Sequence, residues 1–229
     1  MVTMYGYPTL GDLLIQTVMK THILPKKNTG ILDFISQSTG NNKDIVYVGH
    51  SLGTTTSFVY SSLRKKDAEK NLKQIIALAP IAYLRNIQGV LPIVAQFLSF
   101  IKGSFEKLRI YALGQYIDLQ RFLSKLTCNV YPVICELLMA LVTGLAEKQL
   151  KPEIVPMVTK YLPQGVATKN LYHYSQIILN HGRFQFYDYG ALSNMRLYNS
   201  TVPPEYDVEA ISIPVHLFLG KKDFLGASE

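Results

Sequence analysis

Ile45-Val46-Tyr47-Val48-Gly49-His50-Ser51-Leu52-Gly53-Thr54-Thr55-Thr56-Ser57-Phe58-Val59-Tyr60 is the stretch on which the fold turns. A β-branched and aromatic run predicts a strand, and a helix-forming segment begins after the pentapeptide Gly49-His50-Ser51-Leu52-Gly53. A G-x-S-x-G sequence between a strand and a helix is the setting of a nucleophile elbow. Glycines two places before and after the serine leave room for a strained turn that raises its hydroxyl above the sheet edge. The following helix then aims its free N–H groups and positive dipole end at the place where an acyl oxyanion would form. Ser51 is therefore the candidate nucleophile, and Leu52 the candidate oxyanion donor through its backbone N–H. The plainer reading, an ordinary serine in a glycine-bounded βα turn, is disfavoured by having strand and helix both in place.

Upstream, Ile31, Phe34 and Ile35 fall at helical spacing, and Ser38-Thr39-Gly40-Asn41-Asn42 reads as the loop feeding the elbow strand. Leu10 to Met19 is a short amphipathic segment. Downstream, the charged stretch Arg64 to Lys70 reads as a solvated loop, and Ile75-Ile76-Ala77-Leu78-Ala79 as a buried parallel strand ended by Pro80. Helix, strand, elbow and helix in that order predict an α/β fold on a mostly parallel sheet. From Ile81 to Asn199 the pattern changes to long apolar helical stretches, such as Val90 to Ile101 and Val133 to Leu145. An insertion of that length is too long for a simple crossover and predicts a helical cap over the nucleophile. Its apolar helices suit either a lid that meets a greasy substrate or an ordinary cap core. Ile211 to Gly220 predicts a return to the sheet near an edge, because Pro214 interrupts it, and Asp223 follows. The expected organisation is a partial core over 1–80, a cap over 81–199, and a return to the core over 200–229.

Composition bounds the partners. The 229 residues are 48% hydrophobic, with a formal net charge of +7. The basic residues are scattered in short runs such as Arg64-Lys65-Lys66, without a basic arm or nucleic-acid module, so a solvated basic surface is expected rather than a nucleic-acid site. Attraction to an anionic lipid interface stays open. No stretch approaches the roughly 20 apolar residues of a spanning helix. Met1 to Pro8 lacks the pattern of a secretory signal. No cluster has metal-ligand spacing and no phosphate loop occurs, so neither metal nor cofactor is expected. Cys128 and Cys135 fit either a disulfide or a reduced pair, and Asn199-Ser200-Thr201 is a glycosylation sequon that matters if the chain is secreted.

Several blocks together resemble the acid lipases of animals, the gastric, lysosomal and insect lipases on the α/β-hydrolase fold. They are Gly49 to Thr55, Ile76-Ala77-Leu78-Ala79-Pro80, Phe184-Gln185-Phe186-Tyr187-Asp188-Tyr189-Gly190, Asn194-Met195 with Tyr198 and Pro203-Pro204-Glu205-Tyr206-Asp207, and Gly220-Lys221-Lys222-Asp223. The resemblance implies Ser51 as nucleophile, Asp223 as the triad acid, triacylglycerols or sterol esters as substrates, and a secreted or lysosomal location. If the protein is secreted, Cys128 and Cys135 are expected to pair.

The sequence departs from the family at Leu52, where glutamine is usual, although a backbone donor tolerates that change. The family's upstream His-Gly oxyanion segment and a signal peptide have no counterpart here. The sequence stops six residues after Asp223, whereas the triad order of this fold puts the histidine after the acid. Each of the five histidines, His22, His50, His173, His181 and His216, reads as structural or exposed rather than as the base. This predicts little esterase activity for these 229 residues by themselves. The competing expectations are a catalytically silent, lipase-like lipid-binding protein, and an α/β-hydrolase acting on a non-lipid acyl group.

Overall fold

A computed structural model of the chain describes residues 35, 45–87, 89–113, 131, 166–221 and 223. In chain order the elements are β1 (Ile45–His50), α1 (Leu52–Leu63), α2 (Lys65–Asn71), β2 (Leu72–Leu78), α3 (Leu91–Lys107), β3 (Ala112–Leu113), β4 (Val166–Ala167), α4 (Thr168–Leu179), α5 (Ala191–Tyr198) and β5 (Val215–Phe218). They group into two compact units. Of the described residues, one holds Ile35 and Ile45–Tyr83 with Phe184–Gly220, and the other holds Leu84–Arg183 with Lys221 and Asp223. The expected helices at Leu10 to Met19 and Val133 to Leu145, and Cys128 and Cys135, lie outside the described residues, while Ile35 is helical.

The first unit is built on a three-stranded sheet in the order β1-β2-β5. All pairing is parallel, with Val48 opposite Ile76, His50 opposite Leu78, and Leu78 in turn opposite Phe218. Parallel neighbours need a crossover, which α1 and α2 supply between β1 and β2. Leu72, Ile75 and Ala77 are buried. Pro214 cannot donate to the ladder, but its carbonyl accepts from the Ile75 N–H at 2.9 Å, and β5 lies at one edge of the three described strands, the position that the early proline suggested.

The stretch Arg64 to Lys70 is not a loop. Arg64 closes α1 by donating its N–H to the Tyr60 carbonyl, and its own carbonyl accepts from Ala68 to start α2. Lysine, alanine and glutamate are good helix formers. Asp67 in the first turn and Lys70 in the last suit the helix dipole. Only Ala68 and Asn71 are buried in α2, too few to leave an apolar period in the sequence.

The polypeptide from Phe184 onward, expected within the cap as far as Asn199, groups with the sheet unit. The cause is an aromatic cluster. Phe184 is fully buried, its ring centroid 4.7 Å from that of Tyr206, and Phe186 stacks on Tyr206 with centroids 4.4 Å apart. Backbone bonds from Phe186 to Pro204 and from Tyr206 to Phe184 hold the two strands of chain together. Asn194, completely buried, accepts from the Tyr189 N–H and donates to the Asp188 carboxylate and the Thr201 carbonyl. Asp188 also accepts from the N–H of Gly190, whose φ of 87° begins α5. Tyr198 donates to the Tyr187 carbonyl at 3.0 Å. Burial, then the neighbouring Tyr189 and Asp188, push its phenol far above the ordinary range, so that donor stays protonated.

The second unit pairs α3 with α4 and joins β3 to β4 antiparallel, Ala112 opposite Ala167. The expected apolar segment from Val90 to Ile101 is the first part of α3, with Pro92 in its first turn. Ala95 is its buried residue, whereas Ile93, Phe97 and Phe100, spaced to share one face, are exposed. Among the described residues no helix is long and apolar enough to cross a membrane.

Candidate active site

Ser51 stands between the last residue of β1 and the first of α1 with φ 52° and ψ −118°. That is a backbone state costing an L-residue of order 1–3 kcal/mol, and it persists only where the surroundings fix it. Here they do. The Ser51 N–H donates to the Leu78 carbonyl at 3.0 Å, extending the β1–β2 ladder past the strand end. Its carbonyl accepts two bonds from Thr54, one from the N–H at 2.9 Å and one from the hydroxyl at 2.6 Å. Serine is a favoured helix N-cap, yet the Ser51 side chain makes no capping bond, which leaves its hydroxyl for chemistry.

The two glycines of the motif have different duties. A Cβ on Gly49 would lie 2.9 Å from Cε1 of Tyr47 and 3.0 Å from both the Gly53 carbonyl carbon and the Thr54 nitrogen. Two of those neighbours are backbone of the helix start and cannot swing aside. A Cβ on Gly53 would meet only the Tyr47 hydroxyl, at 3.7 Å. We expect Gly49→Ala to cost about 1–3 kcal/mol, because the strain falls on the turn itself. Gly53→Ala should be neutral or stabilising by up to about 1 kcal/mol, since alanine suits a helix better. Chemical denaturation of the two variants checks this, and equal losses would refute the distinction.

Tyr47 and Thr54 carry roles that the sequence reading did not assign. The Tyr47 hydroxyl donates to the Gly53 carbonyl at 2.9 Å, strapping strand to helix. Burial raises its phenol above the usual value. The contribution of that strap is therefore intact below the unfolded tyrosine value of about 10 and is lost as pH rises through the higher folded value. Thr54, fully buried, also accepts from the Ile81 N–H at 2.9 Å, and Thr55 donates to the Ile81 carbonyl at 2.6 Å. The pair fastens the elbow to the chain leaving β2, where Ala79 adopts φ 47° and donates to Phe218. Thr54→Val strands a buried N–H and should cost about 1–3 kcal/mol, while Thr54→Ser keeps both bonds and most of the stability. Thermal melts of the pair read this directly, and equal midpoints would exclude the hydrogen-bond explanation. A tyrosine two places before the first glycine and a threonine three after the serine were the available signals.

α1 has a polar sequence for a buried helix. Three of its hydroxyls bond within the helix, Thr56 to Leu52, Ser57 to Thr54 and Ser62 to Val59, so Thr56 and Ser57 are buried without stranding donors, whereas the buried Ser61 hydroxyl has no partner. Leu52 opens α1, where an N–H has no carbonyl of its own helix to meet, and no acidic side chain in the first turn offsets the dipole. An oxyanion beside Ser51 would face that positive end.

Asp223 follows β5 by five residues and is partly buried. The three parallel strands leave the sheet at one edge, so the chain departs β5 at the edge from which Ser51 follows β1. His50 and His216 are exposed strand residues, His173 is buried in α4, and His181 is exposed at φ 55°. Among the described residues no hydrogen bond joins the Ser51 hydroxyl to a histidine, and no group of His, Cys, Asp and Glu could hold a metal.

Comparison with known proteins gives a consistent set of relatives. Lipase lipl-1 of Caenorhabditis elegans is 30% identical over 188 residues, 79% of this chain and 45% of that protein. Gastric triacylglycerol lipase of Rattus norvegicus is 33% identical over 198 residues, 85% of this chain and 49% of that protein. A tear acid lipase-like protein of Mesocricetus auratus is 32% identical over 198 residues, with 85% and 48% covered. The chain spans about half the length of the curated relatives it matches. No protein-family model matches it.

Proposed function

Because the chain belongs to the acid lipase family of animals, with the α/β-hydrolase fold, we propose that it hydrolyses carboxylic esters of lipids, triacylglycerols or sterol esters, through an acyl-enzyme on Ser51. The observation that carries this reading is the backbone of Ser51, φ 52° and ψ −118°, on a turn from a parallel strand into a helix. A serine held so, with its hydroxyl not spent on capping, suits nucleophilic attack better than any structural duty.

In the reaction proposed, the Ser51 Oγ bonds to the ester carbonyl carbon as a histidine takes its proton. The carbonyl oxygen, now negative, is held by the Leu52 N–H and the start of α1. The C–O bond to the alcohol then breaks, and the histidine returns the proton to the leaving oxygen. Water repeats the sequence on the acyl-enzyme and frees the acid and Ser51. Asp223 orients the imidazole and stabilises its charged form. The family's order places the histidine after the acid, and all five histidines of this chain precede Asp223. The helical insertion, with Ile93, Phe97 and Phe100 exposed on α3, supplies the lipid-facing surface. Secretion or delivery to lysosomes fits relatives named gastric and tear lipases.

The test is hydrolysis of emulsified long-chain triacylglycerol and of a sterol ester by the protein as its gene expresses it, beside binding of the same lipids without turnover. Ser51-dependent release of fatty acid supports the enzyme. Lipid binding that Ser51→Ala leaves unchanged, with no release, would instead favour the silent lipid-binding reading.

A further inference from the structure

Leu78, Ala79, Pro80 and Ile81 carry the chain off the end of β2, and they grip Ser51 from both sides of its backbone. One grip is direct, because the Leu78 carbonyl accepts from the Ser51 N–H at 3.0 Å. The other passes through Thr54, whose hydroxyl donates to the Ser51 carbonyl at 2.6 Å while its oxygen accepts from the Ile81 N–H at 2.9 Å. Ile81 is fixed in turn, since its carbonyl accepts from the Thr55 hydroxyl at 2.6 Å. A closed ring results. It runs from the Ser51 N–H to Leu78, along the chain to Ile81, and back through Thr54 to the Ser51 carbonyl. Ala79 and Pro80 are the only residues between the two grips, so their backbone angles set the separation.

Both residues are restricted. Ala79 has φ 47°, a region where the Cβ of an L-residue crowds its own backbone and which glycine visits at ease. A residue before proline also prefers an extended backbone of negative φ, so Ala79 is held in a state that two rules disfavour. Its N–H donates to the Phe218 carbonyl at 2.8 Å. The planar peptide that accepts from Ser51 is therefore pinned on its far side by β5. Pro80 locks the next φ. Glycine at position 79 would span the same gap with less strain, yet the spacer is built from alanine and proline. Stiffness kept at a cost in stability, beside a nucleophile that is itself strained, points to precision rather than to folding.

We propose that Ala79 is a positioning residue for Ser51: its Cβ confines the spacer, so that the two grips hold the Ser51 backbone, and with it Oγ, in one setting. The proposal rests on the reading of Ser51 as the nucleophile, and the experiment separates the two.

Ala79→Gly is made in the protein as its gene expresses it, with Ala79→Ser as the variant that retains a Cβ. The glycine variant relieves the strain and frees the spacer. Its urea midpoint should stay level or rise, while kcat on a chromogenic ester falls about tenfold with KM little changed. Amide hydrogen exchange at Ser51 and Ile81 should quicken about tenfold, whereas Ile75, whose N–H is bonded to Pro214, should keep the parent rate. Ala79→Ser should keep the parent kcat and exchange. A side chain that served only the fold would lower activity and midpoint together, and that result, or an unchanged kcat in Ala79→Gly, would overturn the positioning role. If the parent shows no Ser51-dependent hydrolysis, the nucleophile reading fails by itself. Exchange at Ser51 then decides whether Ala79 holds the turn, and equal rates in the parent and the glycine variant would refute it.

Discussion

Replacing Ser51 by alanine in the protein as its gene expresses it is expected to lower turnover of a lipid ester on the order of a millionfold, with the Michaelis constant little changed. The reason is chemical rather than structural. Without Oγ no acyl-enzyme forms, and what remains is the modest help that substrate binding and the Leu52 N–H give to attack by water. The fold should survive, since the Ser51 side chain makes no capping bond and the turn is held through its backbone by Leu78 and Thr54. Alanine inherits the strain of φ 52°, whereas Ser51→Gly relieves it. The glycine variant should therefore be as inactive as the alanine variant yet more stable by about 1 kcal/mol. Steady-state hydrolysis with a chromogenic ester and urea denaturation of both variants decide the matter. Activity within tenfold of the parent in either variant would remove Ser51 from the chemistry.

Asp223→Asn should follow with a loss in turnover of about ten-thousandfold. The acid accepts no proton in this mechanism. It fixes the tautomer and orientation of the imidazole and stabilises the charge that the imidazole acquires, and an amide in its place can present the wrong hydrogen-bonding partner. The loss is smaller than that at Ser51 because the nucleophile and a disordered base persist. Residues acting as one unit are not additive, so the Ser51→Ala, Asp223→Asn double variant should be no slower than Ser51→Ala alone. A loss below tenfold for Asp223→Asn, or a double variant slower than both, would mean that the acid of the triad lies elsewhere.

By itself, the sequence determined the elements whose signals are local. The run Ile45 to Val48 ending at Gly49 marks a strand and a turn within a few residues, and so does Ile75 to Ala79 ending at Pro80. Those signals located β1, β2 and the serine between strand and helix, and the motif blocks carried the family. Tertiary structure decided what depends on partners distant in the chain. Arg64 to Lys70 offers no apolar period, and α2 forms because Ala68 and Asn71 meet the sheet unit while strong helix formers face water. Phe184 to Tyr189 reads like the apolar, Tyr-rich cap before it, and only packing on Tyr206 assigns it to the sheet unit. The two glycines around Ser51 are equal as letters. They differ because Gly49 abuts the backbone of the incoming helix whereas Gly53 faces a single tyrosine hydroxyl. Thr54 gains its importance from Ile81, 27 residues further on. Periodicity and turn chemistry are properties of neighbours in sequence, and a buried hydrogen bond or a close backbone approach is fixed only when the chain has folded back on itself.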